Sequence, residues 1–216
     1  MTVLAGLAVY TGVDKGYVLI ASETRSISYR AILDDCGNVI SRDNQIISDN
    51  EIKVFRTKND FIIGFSGDIT SRYGHDDLRA EVIAFIEKQI YKNEEIKLLS
   101  KKIFDFIHEN LAPNGKCFVI LGAFQNNSAV LSSFQIRPEE LDESIKIQIP
   151  GPGHNYEFSY AGVDNQEQFQ TSLGKELVNT AATNKGEVIK AVEKYIQNCA
   201  ELDLASCNKI VKYELM

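Results

Sequence analysis

The order of the apolar runs predicts an α+β fold in which antiparallel sheets face one another and helix pairs cover the outside. Strand-like runs occur in blocks, helical spacing of apolar residues also occurs in blocks, and neither a linker nor an internal repeat divides the 216 residues. The order of strands, two helices, strands, two helices and a final strand fits a four-layer αββα sandwich with two antiparallel sheets. We therefore expect one domain that covers residues 1–216.

The first block of strands begins with a hairpin. Residues 3–9 and 17–21 are rich in strand-forming side chains, and the glycines and aspartate of residues 11–16 suit a tight reversal between them. Residues 26–50 contain turn clusters around short apolar patches, which predict a long excursion or an extra hairpin. A second strand pair at 52–56 and 61–66 ends at a glycine.

Helical spacing begins after that strand pair. Apolar residues between 78 and 111 recur at the period of an amphipathic helix and predict two helices, which end before Pro113. The rest of the chain predicts three strands, two further helices and a closing strand, at 116–124, 129–136, 144–149, 166–178, 186–202 and 209–216.

Composition excludes several classes of function. The chain is 44% hydrophobic and 25% charged, which is typical of a globular domain, and its formal net charge is -7. A negative chain has no basic field for phosphates or an anionic membrane, so we expect neither nucleic acid nor a membrane as a partner. The apolar runs are shorter than the roughly 20 residues of a membrane-spanning helix. Residues 1–10 lack the basic start and cleavage site of a signal peptide, so we expect a cytoplasmic protein.

The cysteines and histidines show no metal pattern. Cys36, Cys117, Cys199 and Cys207 are too far apart and too irregular for a zinc site, and we expect reduced thiols. Cys117 and Cys199 fit small buried hydrophobic positions, whereas Cys36 fits a loop. The three histidines share no spacing that suggests a metal or a catalytic triad. We therefore expect no metal and no cofactor.

Short motifs carry a more specific signal. The chain opens with MTVLAG, and the apolar run VLIASETR at 18–25 includes Glu23 and ends at Arg25. Lys53 and Val54 precede IIGFSG, whose last residue is Gly67, so that 67 − 53 = 14 positions separate the lysine from the glycine. Near the end, DLAS at 203–206 precedes the closing strand.

The order and spacing of these motifs resemble the proteasome β-subunit family of N-terminal-nucleophile hydrolases and its bacterial two-ring relatives. The resemblance implies a four-layer αββα fold and a threonine-type peptidase or amidase that acts on a peptide or a small amide. It also implies a homo-oligomeric ring, and an ATPase regulator is a candidate partner of such a ring.

The resemblance assigns Thr2 as the nucleophile once Met1 has been removed. A threonine hydroxyl needs a nearby base, and a free α-amine, which titrates near roughly 7.7 to 8.0, can serve as that base where an amide nitrogen cannot. Lys53 would favour the deprotonated Thr2 oxygen, and Glu23 would hold Lys53 in place. Without the resemblance, Glu23 and Lys53 would be interpreted as ordinary surface charges at strand ends.

Further roles follow from the same resemblance. Gly67 would donate a backbone N–H to the oxyanion, although a plain turn glycine is the alternative. Asp203 and Ser206 would anchor the N-terminal amine or, alternatively, cap a helix end.

The resemblance also places four residues around the side chain that precedes the cleaved bond. Ser26, Glu51, Phe65 and Ile69 would line this pocket, and Phe65 would make it shallow. The alternative is that residues next to the strand glycine simply belong to the core.

The sequence departs from the family pattern at three points, of which the changed carboxylate and the missing serine favour an alternative function. Glu23 stands where the family has aspartate, and the segment between Arg25 and Lys53 is longer than expected. The family's glycine-flanked serine has no counterpart, since AGVD occupies 161–164. The alternative is a non-catalytic ring or scaffold subunit with the same fold.

Overall fold

The computed structural model describes residues 2–12, 15–36, 39–73, 77–90, 94–139, 144–162, 167–180, 184–205 and 207–216. These residues form eleven strands in three antiparallel sheets and four α-helices, which confirms the α+β class. The strands are β1 (Leu4–Gly12), β2 (Lys15–Glu23), β3 (Ser26–Leu33), β4 (Val39–Ser48), β5 (Val54–Arg56), β6 (Ile62–Asp68), β7 (Lys116–Gln125), β8 (Ser128–Ile136), β9 (Lys146–Gln148), β10 (Tyr156–Ala161) and β11 (Val211–Leu215). The helices are α1 (Leu78–Gln89), α2 (Ile96–Asn110), α3 (Glu167–Thr180) and α4 (Lys185–Glu201).

The first sheet has the strand order β10-β1-β2-β11. The predicted hairpin of β1 and β2 is confirmed, with Leu4 opposite Ser22, while Val13 and Asp14 of its turn lie outside the described residues. Strand β10 was not predicted. It pairs with β1 across a long sequence separation, with Leu4 opposite Ala161. Thus β1 is a central strand, and the residues before it are held close to the sheet.

The second sheet has the order β5-β6-β7-β8-β9. The predicted pair at 52–56 and 61–66 is confirmed as β5 and β6, although β5 begins only at Val54. Side chains of β6 alternate between two sides, as a pleated strand requires. Ile62 packs toward the first sheet, whereas Ile63 and Phe65 pack toward α1 and α2. This alternation fixes which β6 residues approach β1.

Three hydrophobic clusters hold the two sheets and the helices together. One lies between α1, α2 and the second sheet, and another lies between α3, α4 and the first sheet. The third lies between the sheets and consists of Leu4, Ala8, Val18, Ile20, Val54, Ile62, Ile120, Ala129 and Leu131. Burying each large aliphatic side chain stabilises the fold by about 1.5–3 kcal/mol, so the sheet-to-sheet contact is a substantial part of the core.

A glycine permits the sheets to approach closely near the start of β1. A Cβ atom at Gly64 would lie 2.7 Å from a methyl carbon of Leu4 and 2.8 Å from one of Ile20. Both distances are too short for carbon atoms in contact, so a larger residue at this position would push β6 away from β1.

The third sheet is a two-stranded hairpin of β3 and β4, which we call the arm (residues 26–48). The predicted extra hairpin is thereby confirmed, and the described residues form one sheet more than the two expected. No described residue of the arm belongs to the three hydrophobic clusters. Its exposed isoleucines are Ile32, Ile40, Ile46 and Ile47.

All four predicted helices are present, and two of them begin at side-chain caps. The Asp77 side chain accepts a hydrogen bond from the Arg79 N–H at the start of α1, and Asn184 accepts one from the Glu187 N–H at the start of α4. Within the part of the chain that the structure describes, no helix is long and apolar enough to cross a membrane.

Candidate active site

Thr2, Glu23 and Lys53 meet at one end of the first sheet. Thr2 precedes β1, Glu23 ends β2 and Lys53 precedes β5. The Lys53 Nζ donates to Thr2 Oγ1 at 3.0 Å and to Glu23 Oε1 at 2.7 Å, and it also donates to the Arg25 carbonyl oxygen. Three residues that are distant in sequence thus form a hydrogen-bonded group around one ammonium.

All three side chains are buried. Thr2 is 7% exposed, Glu23 is 0% and Lys53 is 5%. The interpretation of Glu23 and Lys53 as ordinary surface charges is therefore wrong. Burial lowers the pKa of Lys53 because it disfavours the charged ammonium, and the carboxylate of Glu23 opposes this shift. A buried ion pair contributes little net stability because of its desolvation cost, so its presence needs another explanation than stability.

The second oxygen of Glu23 is held by the main chain. Glu23 Oε2 accepts the Arg25 N–H at 2.6 Å and the Asn208 N–H at 3.4 Å. Each carboxylate oxygen therefore has a hydrogen-bond donor. These donors restrain rotation of the carboxylate away from Lys53.

Ser66 holds the main chain of Thr2. Its Oγ donates to the Thr2 carbonyl oxygen at 2.8 Å, and the serine is 6% exposed. Sequence reasoning assigned no role to Ser66 and missed this contact. The alternation along β6 was the usable signal, since Ile62, Gly64 and Ser66 share the side that approaches β1.

Gly67 follows at the end of β6, where its backbone requires glycine. Its φ is 98°, and a Cβ atom there would collide with the Lys116 carbonyl oxygen. The Phe65 N–H donates to the Lys53 carbonyl oxygen at 3.0 Å. Because backbone groups alternate along a strand, the Gly67 N–H lies on the same edge of β6 as that of Phe65. This is the edge on which Lys53 lies.

Glu51 is tied to the start of α1. Its Oε1 accepts a hydrogen bond from Arg79 Nη2 at 2.6 Å, and Arg79 Nη1 donates to the Ile52 carbonyl oxygen at 3.0 Å. The positive charge of Arg79 also lowers the pKa of Lys53, although burial, Glu23 and Cys207 have larger effects on it. Sequence reasoning placed Glu51 in the pocket but missed the arginine that fixes it.

The other predicted pocket residues lie on different surfaces. Phe65 is 2% exposed and packs edge-on against Phe55 in the cluster under α1 and α2, and Ile69 packs partly against the same cluster. Ser26 is half-buried at the base of the arm, opposite Ser48. In this structure Phe65 is thus a core residue, which was the alternative interpretation of this position.

Asp203 lies in the turn after α4, and its carbonyl oxygen accepts the Cys207 N–H at 2.9 Å. Burial, followed by the negative charge of Glu23, raises the pKa of Cys207 to about 12, so this thiol remains neutral at ordinary pH. Ser206 and Met1 lie outside the described residues, as does His75.

Cysteines and acidic side chains in the described ranges form neither a disulfide nor a metal cluster. Cys36 is exposed, the other three cysteines are buried, and none of the four forms a disulfide. Among the residues that the structure describes, no group of three or more His, Cys, Asp or Glu side chains is arranged to hold a metal ion. A shallow depression lined by Tyr156, Thr171 and Val178 involves none of the residues around Thr2.

The arrangement around Thr2 can therefore position a hydroxyl and polarise it. An ammonium at this distance would stabilise a negative charge that developed on the Thr2 oxygen, and Glu23 holds the ammonium in place. Compared with known proteins, the sequence matches no family model and no curated protein, so the residues around Thr2 are the basis for any functional assignment.

Proposed function

We propose that this protein is a threonine-type peptidase or amidase that uses Thr2 as its nucleophile after removal of Met1. The observation that carries the proposal is the 3.0 Å hydrogen bond from Lys53 Nζ to Thr2 Oγ1, made by a buried lysine that Glu23 holds at 2.7 Å. Buried charges are costly, and their concentration around one hydroxyl is typical of a reactive site.

The fold supports the same proposal. Two sheets pack against each other, and a helix pair covers the outer side of each one. This arrangement fits the four-layer αββα sandwich of N-terminal-nucleophile hydrolases, in which the nucleophile precedes the first strand. Thr2 stands immediately before β1 in the same way, two residues from Leu4.

The proposed reaction begins with proton transfer from the Thr2 hydroxyl to the free α-amine of the same residue. The oxygen attacks the carbonyl carbon of a peptide or amide bond, and the resulting oxyanion accepts a hydrogen bond from the Gly67 N–H. Collapse breaks the C–N bond, and the α-ammonium returns its proton to the leaving amine. Water then hydrolyses the ester on Thr2 and restores the hydroxyl.

A ring of identical subunits is the assembly that goes with this proposal, with an ATPase as a candidate regulator. The second candidate function is a non-catalytic ring or scaffold subunit. It is favoured by the burial of the Thr2 side chain, which is only 7% exposed, since a substrate carbonyl must reach its oxygen.

The test combines intact-mass measurement with labelling by a threonine-directed electrophile such as a β-lactone. The processed parent, from which Met1 is absent, should form a covalent adduct on Thr2, and Thr2→Ala should form none. Lys53→Ala should react at least about tenfold more slowly, which corresponds to roughly 1.4 kcal/mol of lost transition-state stabilisation. The matched control is Lys101→Ala, which removes an exposed lysine paired with Asp105 and should label at the parent rate.

Stability must be measured beside labelling. Removing Lys53 leaves the buried Glu23 unpaired, which typically destabilises a protein by about 3–5 kcal/mol. The double variant Lys53→Met with Glu23→Gln removes both charges, so it should fold but react more slowly than the parent. Labelling at the parent rate by either folded variant would refute the mechanism. A processed parent that never reacts would indicate the scaffold function.

A further inference from the structure

Asn208 is a buried side chain that the reaction proposed above does not use. It lies in the turn between α4 and β11 and is 7% exposed. Its neighbours are Thr24, just before the arm begins, and Asp49, just after the arm ends. It therefore connects the C-terminal part of the chain to both ends of the arm.

Each polar atom of the Asn208 side chain has partners. Its Oδ1 accepts hydrogen bonds from the Thr24 N–H and the Ile210 N–H, both at 3.2 Å. Its Nδ2 donates to the carbonyl oxygen and to Oδ1 of Asp49, both at 3.1 Å. A side chain at this position must offer an acceptor on one side and a donor on the other, and an amide does so.

The segment that Asn208 holds is the one that orients Lys53. The Thr24 carbonyl oxygen accepts the Glu51 N–H at 2.8 Å. The Arg25 N–H donates to Glu23 Oε2 at 2.6 Å, and the Arg25 carbonyl oxygen accepts the Lys53 ammonium. The backbone path of Thr24 and Arg25 therefore positions both the Glu23 carboxylate and one of the acceptors of the Lys53 ammonium.

We propose that Asn208 is a positioning residue of the Thr2 site: its amide fixes Thr24 and Arg25, and through them it holds the Lys53 ammonium against Thr2 Oγ1. The inference rests on the proposed function for its kinetic consequence, but its structural part concerns only Lys53. The Asn208 backbone N–H, which donates to Glu23 Oε2 at 3.4 Å, adds a direct link to the same group.

The first test is the rate and pH profile of labelling in Asn208→Ala. We expect labelling at least about tenfold slower than in the parent, because Lys53 is no longer held beside the nucleophile. We also expect the acidic limb of the profile to move to higher pH. A fixed ammonium near the α-amine lowers the pKa of that amine, and a mobile one lowers it less. The charged and titratable groups around Lys53 are Glu23, Cys207 and Arg79, and all three remain in the variant.

The matched control is Asn59→Ala. The Asn59 side chain also bridges two main-chain groups, donating to the Ile86 and Ile90 carbonyl oxygens at 2.9 and 2.7 Å. It stabilises the end of α1 and contacts no residue of the Thr2 site in these bonds. This variant should lower the melting temperature but leave the pH profile of labelling at the parent position.

A reciprocal pair of variants separates positioning from general loss of packing. Asn208→Asp keeps the acceptor for Thr24 but turns a carboxylate oxygen toward Asp49, so it should label slowly. Combining it with Asp49→Asn restores a donor and an acceptor in the reverse order. The reversed pair restores the bond between the two side chains but neither the Arg25–Asp49 ion pair nor the bond to the Asp49 carbonyl oxygen, so we expect the double variant to regain part of the lost rate.

A measurement on Lys53 itself separates failure of this inference from failure of the proposed function. Burial lowers the pKa of Lys53. If Asn208 positions the lysine, Asn208→Ala should raise that pKa toward the ordinary lysine value, as followed by NMR titration of ¹³Cε-labelled lysine. An unchanged Lys53 titration in folded Asn208→Ala and Asn208→Asp would overturn the inference, whether or not the parent labels. A changed titration in a parent that never labels would overturn the proposed function alone.

Discussion

Lys53 illustrates how a buried cation is accommodated at the scale of a single residue. An ammonium has three donors, and here they reach Thr2 Oγ1, Glu23 Oε1 and the Arg25 carbonyl oxygen. Because every donor has an acceptor, the ammonium cannot turn toward another partner without losing a hydrogen bond. Lys53 is therefore held in one position, which is the property that the proposed activation of Thr2 requires.

The Cys207 thiol predicts a loss of stability at alkaline pH. Its pKa is about 12 in the folded protein, compared with an ordinary value of 9.0. Between these values the unfolded chain loses the proton and the native protein keeps it, so the free energy of unfolding falls as pH rises. One such group contributes up to about 1.4 kcal/mol per pH unit. Cys207→Ala should therefore show a shallower decline between pH 9 and 11, as measured by urea unfolding.

Tyr17 and Lys53 also contribute to the pH dependence of the free energy of unfolding, and the Cys207→Ala variant should retain both contributions. Burial raises the pKa of Tyr17 to about 12, which gives a decline of the same sign above its ordinary value of 10.0. Lys53, whose pKa is lowered, acts in the opposite direction below its ordinary value of 10.5. Both are common to parent and variant. Cys36→Ala, at an exposed site, is the control, and equal slopes for Cys207→Ala and the parent would contradict the prediction.

Sequence motifs predicted those residues of the site that act through their side chains. Thr2, Glu23 and Lys53 belong to motifs, and the structure brings them together. The Arg25 contribution could not be predicted in this way, because the atom that binds Lys53 is a backbone carbonyl oxygen. The role of Asn208 depends on tertiary pairing of segments 184 residues apart, for which local sequence carries no signal.

At the scale of elements, β6 joins the core to the site. Its side chains point alternately toward the cluster under α1 and α2 and toward the contact between the two sheets. Ser66 lies on the second side, where its Oγ donates to the Thr2 carbonyl oxygen. The strand then ends in a glycine whose neighbours leave no room for a side chain. Packing of one strand thus positions Ser66 against the Thr2 carbonyl group and requires a glycine at residue 67.

Gly67→Ala should destabilise the protein more than the same change at another glycine of positive φ. Gly153 has a φ of 83° and no heavy atom within 4 Å of the Cβ position, so its change measures backbone strain alone, about 1–2 kcal/mol. Gly67→Ala adds a collision with the Lys116 carbonyl oxygen and should exceed that cost by at least about 1 kcal/mol. Urea unfolding of both variants checks the difference. Equal costs would show that β6 and β7 move apart easily.

Element prediction succeeded where the pattern is local and failed where pairing is distant. Both helix pairs and the hairpin of β1 and β2 follow from local periodicity and turn residues. Strand β10 was missed because its aromatic run follows a turn cluster around Gly153, and its partner β1 lies about 150 positions earlier. Pairing of this kind depends on the assembled sheet rather than on the six residues of the strand.

At the scale of the whole molecule, the arm is separate from the body. The body consists of the two large sheets and the helix pairs, and the three hydrophobic clusters lie within it. The arm leaves the body after Thr24 and returns at Asp49, where the Thr24 hydroxyl donates to the Asp49 carbonyl oxygen at 2.7 Å. Arg25 and Asp49 form an ion pair at the same place, with 2.6 Å between Nε and Oδ1. The base of the arm is thus fixed independently of its strands.

Removing the arm should therefore leave both the body and the Thr2 site intact. Ser26 pairs with Ser48 at the base, so residues 27–47 can be replaced by an Asn-Gly turn, which suits a two-residue hairpin connection. We expect a melting temperature within about 4 °C of the parent, because less than about 1 kcal/mol of core packing is lost. Labelling of Thr2 should persist, since Thr24, Arg25 and Asp49 remain. Calorimetry and β-lactone labelling provide these two measurements.

The same deletion tests how the proposed ring assembles. If subunits of the proposed ring associate through surfaces of the body, light scattering should give the same number of subunits with and without the arm. The control is Ile46→Ser with Ile47→Ser, which keeps the hairpin but removes two isoleucines that are 49% and 66% exposed. Dissociation of both variants, with labelling lost in parallel, would instead show that the arm carries the contacts between subunits. That result would place the control of Thr2 between subunits, because the arm begins one residue after the Arg25 carbonyl that holds Lys53.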